Sequence, residues 1–305
     1  MSITIKDKYI DPFTDFGFKW LFGTEENKEL LIGFLNDLLE LKDKIIDVEY
    51  RNLEQLGLSI SDRRAIFDIF CIDEKNNNFV VELQRSRQKY FKDRSLYYTS
   101  FPIQEQSKRG DWDYELKKVY FVGILEFNMN EDNSNYLTKV QLCDVNSKEV
   151  FYDKLTYYYL EMPKFTKKES ELSNHLEYWL YMLNNMSILE QPPKIFREDK
   201  LLNRAFDISE FLALDKDRQF AYQQDLKTRL DYKNVMDYAK EMAKEEGREE
   251  GREEGREEGR EEGIKQEKIE IARNLLDILD IEVIALKTGL TIDEIRNLIS
   301  LKEIK

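Results

Sequence analysis

Apolar and polar residues alternate most regularly in the stretch 63–84 of this chain. It reads Arg63-Arg-Ala-Ile-Phe-Asp68-Ile-Phe-Cys-Ile, then the polar cluster Asp73-Glu-Lys-Asn-Asn-Asn78, then Phe79-Val-Val-Glu82-Leu-Gln84. Two β-rich runs bounded by Asn and Asp predict a hairpin-like pair of strands. Side chains on a strand alternate between faces. Glu82 and Gln84 therefore share one face with Leu83 opposite, and Asp68 lies with Ile66 and Phe70, across from Phe67, Ile69 and Cys71. Residues 45–50 alternate as a further strand, linked to the pair by a polar, Gly-containing segment over residues 55–61. Residues 116–127 form the most continuous apolar run, which predicts a central strand buried on both faces. Residues 136–145 and 155–162 predict two more strands.

Helical spacing takes over elsewhere. Thr24 precedes a run with apolar Leu30, Leu31, Phe34, Leu35, Leu38 and Leu39, so a helix capped by Thr24 is expected over residues 25–40. The segment before it, Asp11-Pro-Phe-Thr-Asp15-Phe-Gly-Phe-Lys19-Trp-Leu-Phe-Gly23, is dense in aromatics; by itself it reads as core, with Asp15 a cap or turn residue. Residues 85–98 also read as a helix, carrying Arg85, Arg87, Lys89, Lys92 and Arg94 against the single acid Asp93. From about residue 170 to 244 the pattern is helical, with Tyr178, Trp179, Tyr181 and Met182 as expected core and His175 in a structural or surface role. A Gly-Arg-Glu-Glu repeat follows, with glycines at 247, 251, 255, 259 and 263. Each Gly costs a helix up to about 1 kcal/mol relative to Ala, so the repeat reads as a marginal, semi-rigid spacer or as a ridge for close self-association. The tail, residues 264–305, predicts an amphipathic helix and then two short helices around Gly289, with Thr291 and Glu294 as a capping box. That pair resembles a helix-turn-helix, but the acidic outer face formed by Asp293 and Glu294 suits packing or dimerisation better than DNA reading.

Composition narrows the chemistry. At 305 residues the chain accommodates one large domain with appendages or two modest ones. No apolar run reaches the roughly 18 residues of a membrane span, and no basic-then-apolar leader is present, so a cytoplasmic protein with no membrane association is expected. Cys71 and Cys143 fall inside apolar segments and read as reduced core residues. With one His and two Cys, a zinc site of the Cys/His kind cannot be assembled, and chemistry must run on carboxylates, Lys or Tyr. The net charge of −14 argues against a surface broadly adapted to polyanions but leaves room for a local basic groove; residues 245–263, with ten Glu and four Arg, contribute −6 of it. If Asp68 and Glu82 converge, two carboxylates with the amide oxygen of Gln84 form a hard-oxygen site suited to magnesium or manganese, as a metal-assisted phosphodiester hydrolase requires. The basic stretch directly after Gln84 is then the candidate for phosphate contact, with a solvated helix face as the alternative.

These residues also carry a resemblance. The motif from Asp11 to Gly23, Asp68, Glu82-Leu-Gln84, Tyr97-Tyr98 and the strand through Glu126-Phe127 resemble the Rpn family of recombination-promoting, transposase-like nucleases, a branch of the PD-(D/E)XK nuclease superfamily, over roughly residues 5–240. The resemblance implies an α/β fold with a PD-(D/E)XK restriction-endonuclease-like core, that is, a mixed central sheet flanked by helices, and a C-terminal helical extension. It implies a divalent ion, Mg2+ or Mn2+, held by Asp68 and Glu82, and hydrolysis of DNA phosphodiesters. Asp15 matches the N-terminal acid that often joins the metal shell, so the implied catalytic set is Asp15, Asp68, Glu82 and Gln84. Beside what the resemblance implies, Arg85, Arg87, Lys89 and Arg94 of the basic stretch, with Tyr98, are the expected substrate contacts. One departure matters: the third motif of the superfamily usually ends in Lys, where this chain has Gln84. An amide cannot act as a general base, so water would be activated by the ion, or by Lys89 or Tyr98 moving into that role.

The expected organisation is a nuclease-like core over 1–165, a helical extension packed on it over 166–244, the spacer 245–263 and a small helical tail 264–305. The expected function is a magnesium-dependent DNA endonuclease of low sequence specificity, acting in recombination, mobile-element activity or defence, with DNA and a second copy of the chain as partners. The alternative is a catalytically weak or inactive scaffold that binds DNA or a partner and dimerises through its C-terminal region. A purely structural reading pairs Asp68 and Glu82 with Arg63, Arg64 or Arg85, although buried ion pairs often cost more than they return.

Overall fold

A computed structural model describes residues 7–51, 67–107, 113–129 and 133–303. The link over residues 55–61 and the residues Arg63, Arg64 and Ile66 lie outside the described residues. Among the described residues the strands are β1 (Val48–Tyr50), β2 (Ile69–Asp73), β3 (Asn78–Gln84), β4 (Val119–Leu125), β5 (Leu137–Cys143) and β6 (Val150–Glu161). They form one mixed sheet in the order β1-β2-β3-β4-β6-β5. The β2–β3 hairpin is antiparallel, whereas β3–β4 and β4–β6 are parallel. β4 lies between β3 and β6 and is buried along its whole length, which accounts for its unbroken apolar sequence.

The hairpin turn follows from its Asn and Asp residues. The Oδ1 of Asp73 accepts the backbone N–H groups of Lys75 and Asn77 at 2.9 and 2.7 Å, and Asn76 takes a φ of 61°, a left-handed conformation that Asn tolerates. Helix α1 (Asp15–Phe22) precedes α2 (Lys28–Leu39), and the expected Thr24-capped helix is broken between them: Glu25–Asn27 is a 3-10 turn, and the Thr24 hydroxyl donates to the Trp20 carbonyl rather than capping. The basic stretch is only partly helical, because α3 (Phe91–Glu105) begins at Phe91.

Two apolar layers sandwich the sheet. On one face Phe79, Val81, Val122 and Ile124 pack with Phe22 and Phe34 of the N-terminal helices and with Trp179 of α4 (His175–Asn185). On the other face Phe70, Val80, Phe121, Tyr157 and Tyr159 meet α3 through Phe91, Tyr98 and Phe101. The phenols of Tyr159 and Tyr157 each hydrogen-bond a hydroxyl of α3, that of Ser95 and that of Thr99, both at 2.7 Å. Phe67 joins this second layer with Phe70, contrary to strict alternation, because it precedes the first residue of β2. Cys71 is buried as expected, but Cys143 is exposed, since β5 is an edge strand whose outer half leaves the core. A third cluster, Ile10, Trp20, Phe211, Leu214 and Tyr222, ties the N-terminal segment to the start of α7 (Lys216–Leu275). Helices α5 (Lys194–Glu198) and α6 (Lys200–Ser209) lie between α4 and α7 in sequence. His175 is half exposed, with its ring nitrogens 3.4 Å from carboxylates of Asp37 and Asp199.

The chain divides into two compact units, Met1–Arg229 and Leu230–Lys305. In the second, the repeat is helical throughout and continues α7, and a Cβ added at Gly247, Gly251, Gly255, Gly259 or Gly263 would meet nothing within 4 Å. Two short helices, α8 (Ile281–Thr288) and α9 (Ile292–Glu303), flank Gly289, whose φ of 71° suits a residue without Cβ. Thr291 and Glu294 form the reciprocal capping box. Ala272, Ile284, Leu290, Ile295 and Leu298 make the small core of this unit. Among the described residues no helix is long and apolar enough to cross a membrane.

Candidate active site

The acid pair is set by the hairpin register. Ile69 pairs with Val81 and Phe70 with Val80, so the same register carried back one residue places Asp68 opposite Glu82, on the face of the sheet covered by α3. Asp68 stands just before β2, and its N–H is not used by the ladder; it donates to the Glu82 Oε1 at 3.2 Å. In return the Asp68 Oδ2 accepts the backbone N–H of Leu83 at 2.7 Å. The two carboxylates are thus cross-tied by each other's strand. Glu82 pairs with Gly123 of β4 in the parallel register, and a Cβ at Gly123 would press on Phe121 and Tyr159 at 3.2 and 3.3 Å.

Burial dominates the electrostatics. Glu82 is only 2% exposed, and its carboxyl is pushed up to about 8, first by desolvation and then by the neighbouring charge of Asp68. Asp68 is raised as well, chiefly by burial, with the Leu83 N–H and the Lys19 charge pulling it back. The Arg94 guanidinium lies 3.3 Å from the Glu82 Oε2, yet burial outweighs it. Arg94 also donates to the Gln84 Oε1 at 3.3 Å and the Gln88 Oε1 at 3.0 Å, and stacks over the Tyr98 ring at 4.8 Å. Burial first, and then the charge of Glu82, raises the Tyr98 phenol, with Arg94 opposing.

This donor set suits a hard divalent ion. Among the described residues no group of three or more His, Cys, Asp or Glu side chains is arranged to hold a metal, so the protein offers two carboxylates and the Gln84 amide. Magnesium commonly takes one or two carboxylates and keeps several waters. Two buried carboxyls, both raised by burial and one of them raised further by the charge of the other, are also the electrostatic situation a divalent cation relieves.

The other expected site residues are distributed unevenly. Asp15 is the first residue of α1, after the N-cap Thr14, and with Asp68 it lines a pocket of about 440 Å³ whose wall also includes Phe16, Lys19, Trp20 and Asp225. Arg85 faces Asp225 at 3.7 Å, not Asp68 or Glu82. Arg87 and Lys89 are exposed, and the Lys89 ammonium lies 5.3 Å over the Tyr90 ring. Arg94 and Tyr98 are therefore the substrate candidates that the fold brings to the acid pair. Sequence reasoning missed Lys19, which pairs with Asp15 at 2.8 Å one helical turn away. That spacing was legible only once residues 15–22 were known to be a helix. It also missed Arg229, whose guanidinium bridges Asp11 at 3.1 Å and Glu126 at 2.6 Å, directly beyond β4. No local pattern marks a partner some hundred residues away.

A family model described as PD-(D/E)XK nuclease family transposase matches residues 12–239 of the chain. No curated protein and no solved structure matches it. The matched span contains Asp15, Asp68, Glu82, Gln84, Arg94 and Arg229, and the mixed six-stranded sheet flanked by helices, with its long C-terminal helix, accords with that kind of α/β fold.

Proposed function

The chain belongs to the PD-(D/E)XK nuclease family transposases, and on that premise we propose that it is a magnesium-dependent DNA endonuclease of low sequence preference, acting in recombination, mobile-element activity or defence. The observation that carries this reading is the cross-tied acid pair Asp68 and Glu82 beside an open pocket. Asp68 and Glu82 are assigned as the residues that would hold the ion, Mg2+ or Mn2+. When bound, such an ion polarises the phosphate and lowers the pKa of a coordinated water. The chain's own residues do the rest: the strand N–H groups orient the two carboxylates, Arg94 offsets the charge of Glu82, and Gln84 holds Arg94 in place. Gln84 has no proton to give or take near neutral pH, so it is a positioning residue. Low sequence preference follows if the cations near the site, Lys19, Arg85 and Arg94, meet phosphate oxygens, because such contacts position the duplex without reading its bases.

Nicking of supercoiled plasmid with magnesium and with manganese, comparing wild type with Asp68→Ala, tests the reading. The wild type is expected to nick, and the variant to lose about 100-fold or more, since an ion contributes several kcal/mol to such a reaction. Equal activity in the two proteins would remove the site assignment.

One observation favours a second reading. Arg94 donates to the Glu82 Oε2 and to the Gln84 Oε1, as in a site where a guanidinium has taken the place of a metal. In that case the chain is an inactive nuclease-like scaffold that binds DNA or a partner. Calorimetry that detects no divalent-ion binding dependent on Glu82 would decide for it.

A further inference from the structure

The cations around the acid pair are not equally available to a phosphate. Arg94 is divided among Glu82, Gln84 and Gln88 and stacked on Tyr98. Arg229 is clamped by Asp11 and Glu126, and its side chain is 22% exposed. Arg85 faces Asp225 and is 27% exposed. Freeing any of these would strand a part-buried carboxylate, which is costly.

Lys19 differs in each respect. Its side chain is 45% exposed and that of its partner Asp15 is 50% exposed, so water can take over for either when they part. Exposed pairs of this kind contribute little and separate at small cost. Lys19 lines the same pocket as Asp68, and its charge acts on both Asp68 and Glu82. Two of the three carboxylates lining the pocket have partners other than Lys19: Asp225 accepts the Phe16 N–H at 2.9 Å and faces Arg85, and Asp68 accepts the Leu83 N–H at 2.7 Å, while Asp15, which Lys19 would leave, is exposed enough for water to screen it. A compact ammonium on a flexible stem is a common phosphate ligand.

We propose that this pocket receives the scissile phosphodiester, and that Lys19, released from Asp15, holds one of its non-bridging oxygens beside Asp68; the assignment rests on the nuclease reading above. It gives the chain a lysine at the reacting phosphate from helix α1, where β3 carries only Gln84. The contact is made to the phosphate and not to a base, so it adds to rate and affinity without sequence preference.

The full-length chain tests this with two substitutions and two readouts. Lys19→Met is expected to nick plasmid about 100-fold more slowly at saturating DNA, the usual scale for losing one group that stabilises developing charge. Lys19→Arg, which keeps the charge, should recover most of the rate. Magnesium should still bind both variants by calorimetry, with Lys19→Arg like the wild type and Lys19→Met altered only by the loss of one neighbouring charge, which separates loss of the phosphate contact from loss of the ion. For the second readout, duplex binding is measured against salt in a protein made inert by Asp68→Asn. Adding Lys19→Met should reduce the slope of log affinity against log salt by about 0.9, the value for one phosphate contact. Wild-type nicking by Lys19→Met, or an unchanged salt slope, would overturn the assignment while leaving the nuclease reading to the Asp68→Ala result. If the wild type never nicks but the slope still falls, the phosphate pocket stands and the nuclease reading is lost.

Discussion

Glu82 is where the fold and the chemistry pull in opposite directions. Its carboxyl titrates near 8 in the folded protein, against an ordinary value of 4.5. Between those two values the folded protein holds more protons than the unfolded chain, so stability falls as pH rises through that window and stops falling above it. Glu82→Gln keeps the size and removes the charge. Melting midpoints of the variant should therefore lose most of the wild-type decline between pH 5 and 8 and exceed the wild type at about pH 9. A decline of equal size in both proteins would show that Glu82 is not its source. A divalent ion binds the deprotonated form, so magnesium should raise the wild-type midpoint more at pH 8 than at pH 6 and leave the variant unmoved. The acid pair itself was legible in the sequence, since two acids on β-rich runs around an Asn-rich turn have few places to go. The turning of Arg94 onto Glu82 and Gln84 was not, because it depends on where α3 starts, and residues 85–98 read as one uninterrupted helix.

At the scale of elements, legibility tracked the period of the pattern. β4 was readable because both of its faces are buried, and the hairpin because its turn residues are specific. Helix α1 was not, because aromatic residues surround it and Pro12 and Gly17 imitate a loop; its helicity comes from the Thr14 cap and from packing on both sides. Gly17 is required there for a steric reason. A Cβ at this position would lie 2.2 Å from the Asp11 carbonyl oxygen and 2.8 Å from the Thr14 Oγ1. Asp11 cannot retreat, since its N–H donates to the Tyr222 hydroxyl and its carboxylate faces Arg229. Gly17→Ala is expected to destabilise the first unit by about 1–3 kcal/mol, the scale of overpacking, and to lower nicking further because α1 carries Asp15 and Lys19. Gly251→Ala, in open space, is the contrast: it should stabilise its helix by up to about 1 kcal/mol. Urea titrations of the two variants measure both, and a neutral Gly17→Ala would show that the N-terminal loop yields.

For the whole molecule, the question is what the second unit does for the first. Residues 12–239 match the family, and the first unit closes at Arg229, so the start of α7 belongs to the nuclease-like body. It supplies Tyr222 to the cluster with Trp20, Asp225 to the pocket and Arg229 to Asp11 and Glu126. A chain ending at residue 215 should not fold, because it exposes Trp20 and Phe211 and leaves Asp11 and Glu126 without their cation. A chain ending at residue 244 keeps all of these. It should melt like the first unit of the intact protein and nick at the same maximal rate. It also loses the repeat and its charge of −6, so it should bind DNA more tightly at low salt, with the difference fading as salt screens it. Self-association through the C-terminal region, as the sequence leads one to expect, has exposed apolar side chains to use in the second unit, Ile278 and Leu286, but Phe151 and Leu212 of the first unit are as exposed, so the contact is located by experiment. Under that expectation sedimentation should give the intact chain as a dimer and the chain ending at 244 as a monomer. A dimer from the shorter chain would move the contact into the first unit, and loss of nicking would show that the active site needs more of α7 than its first turns.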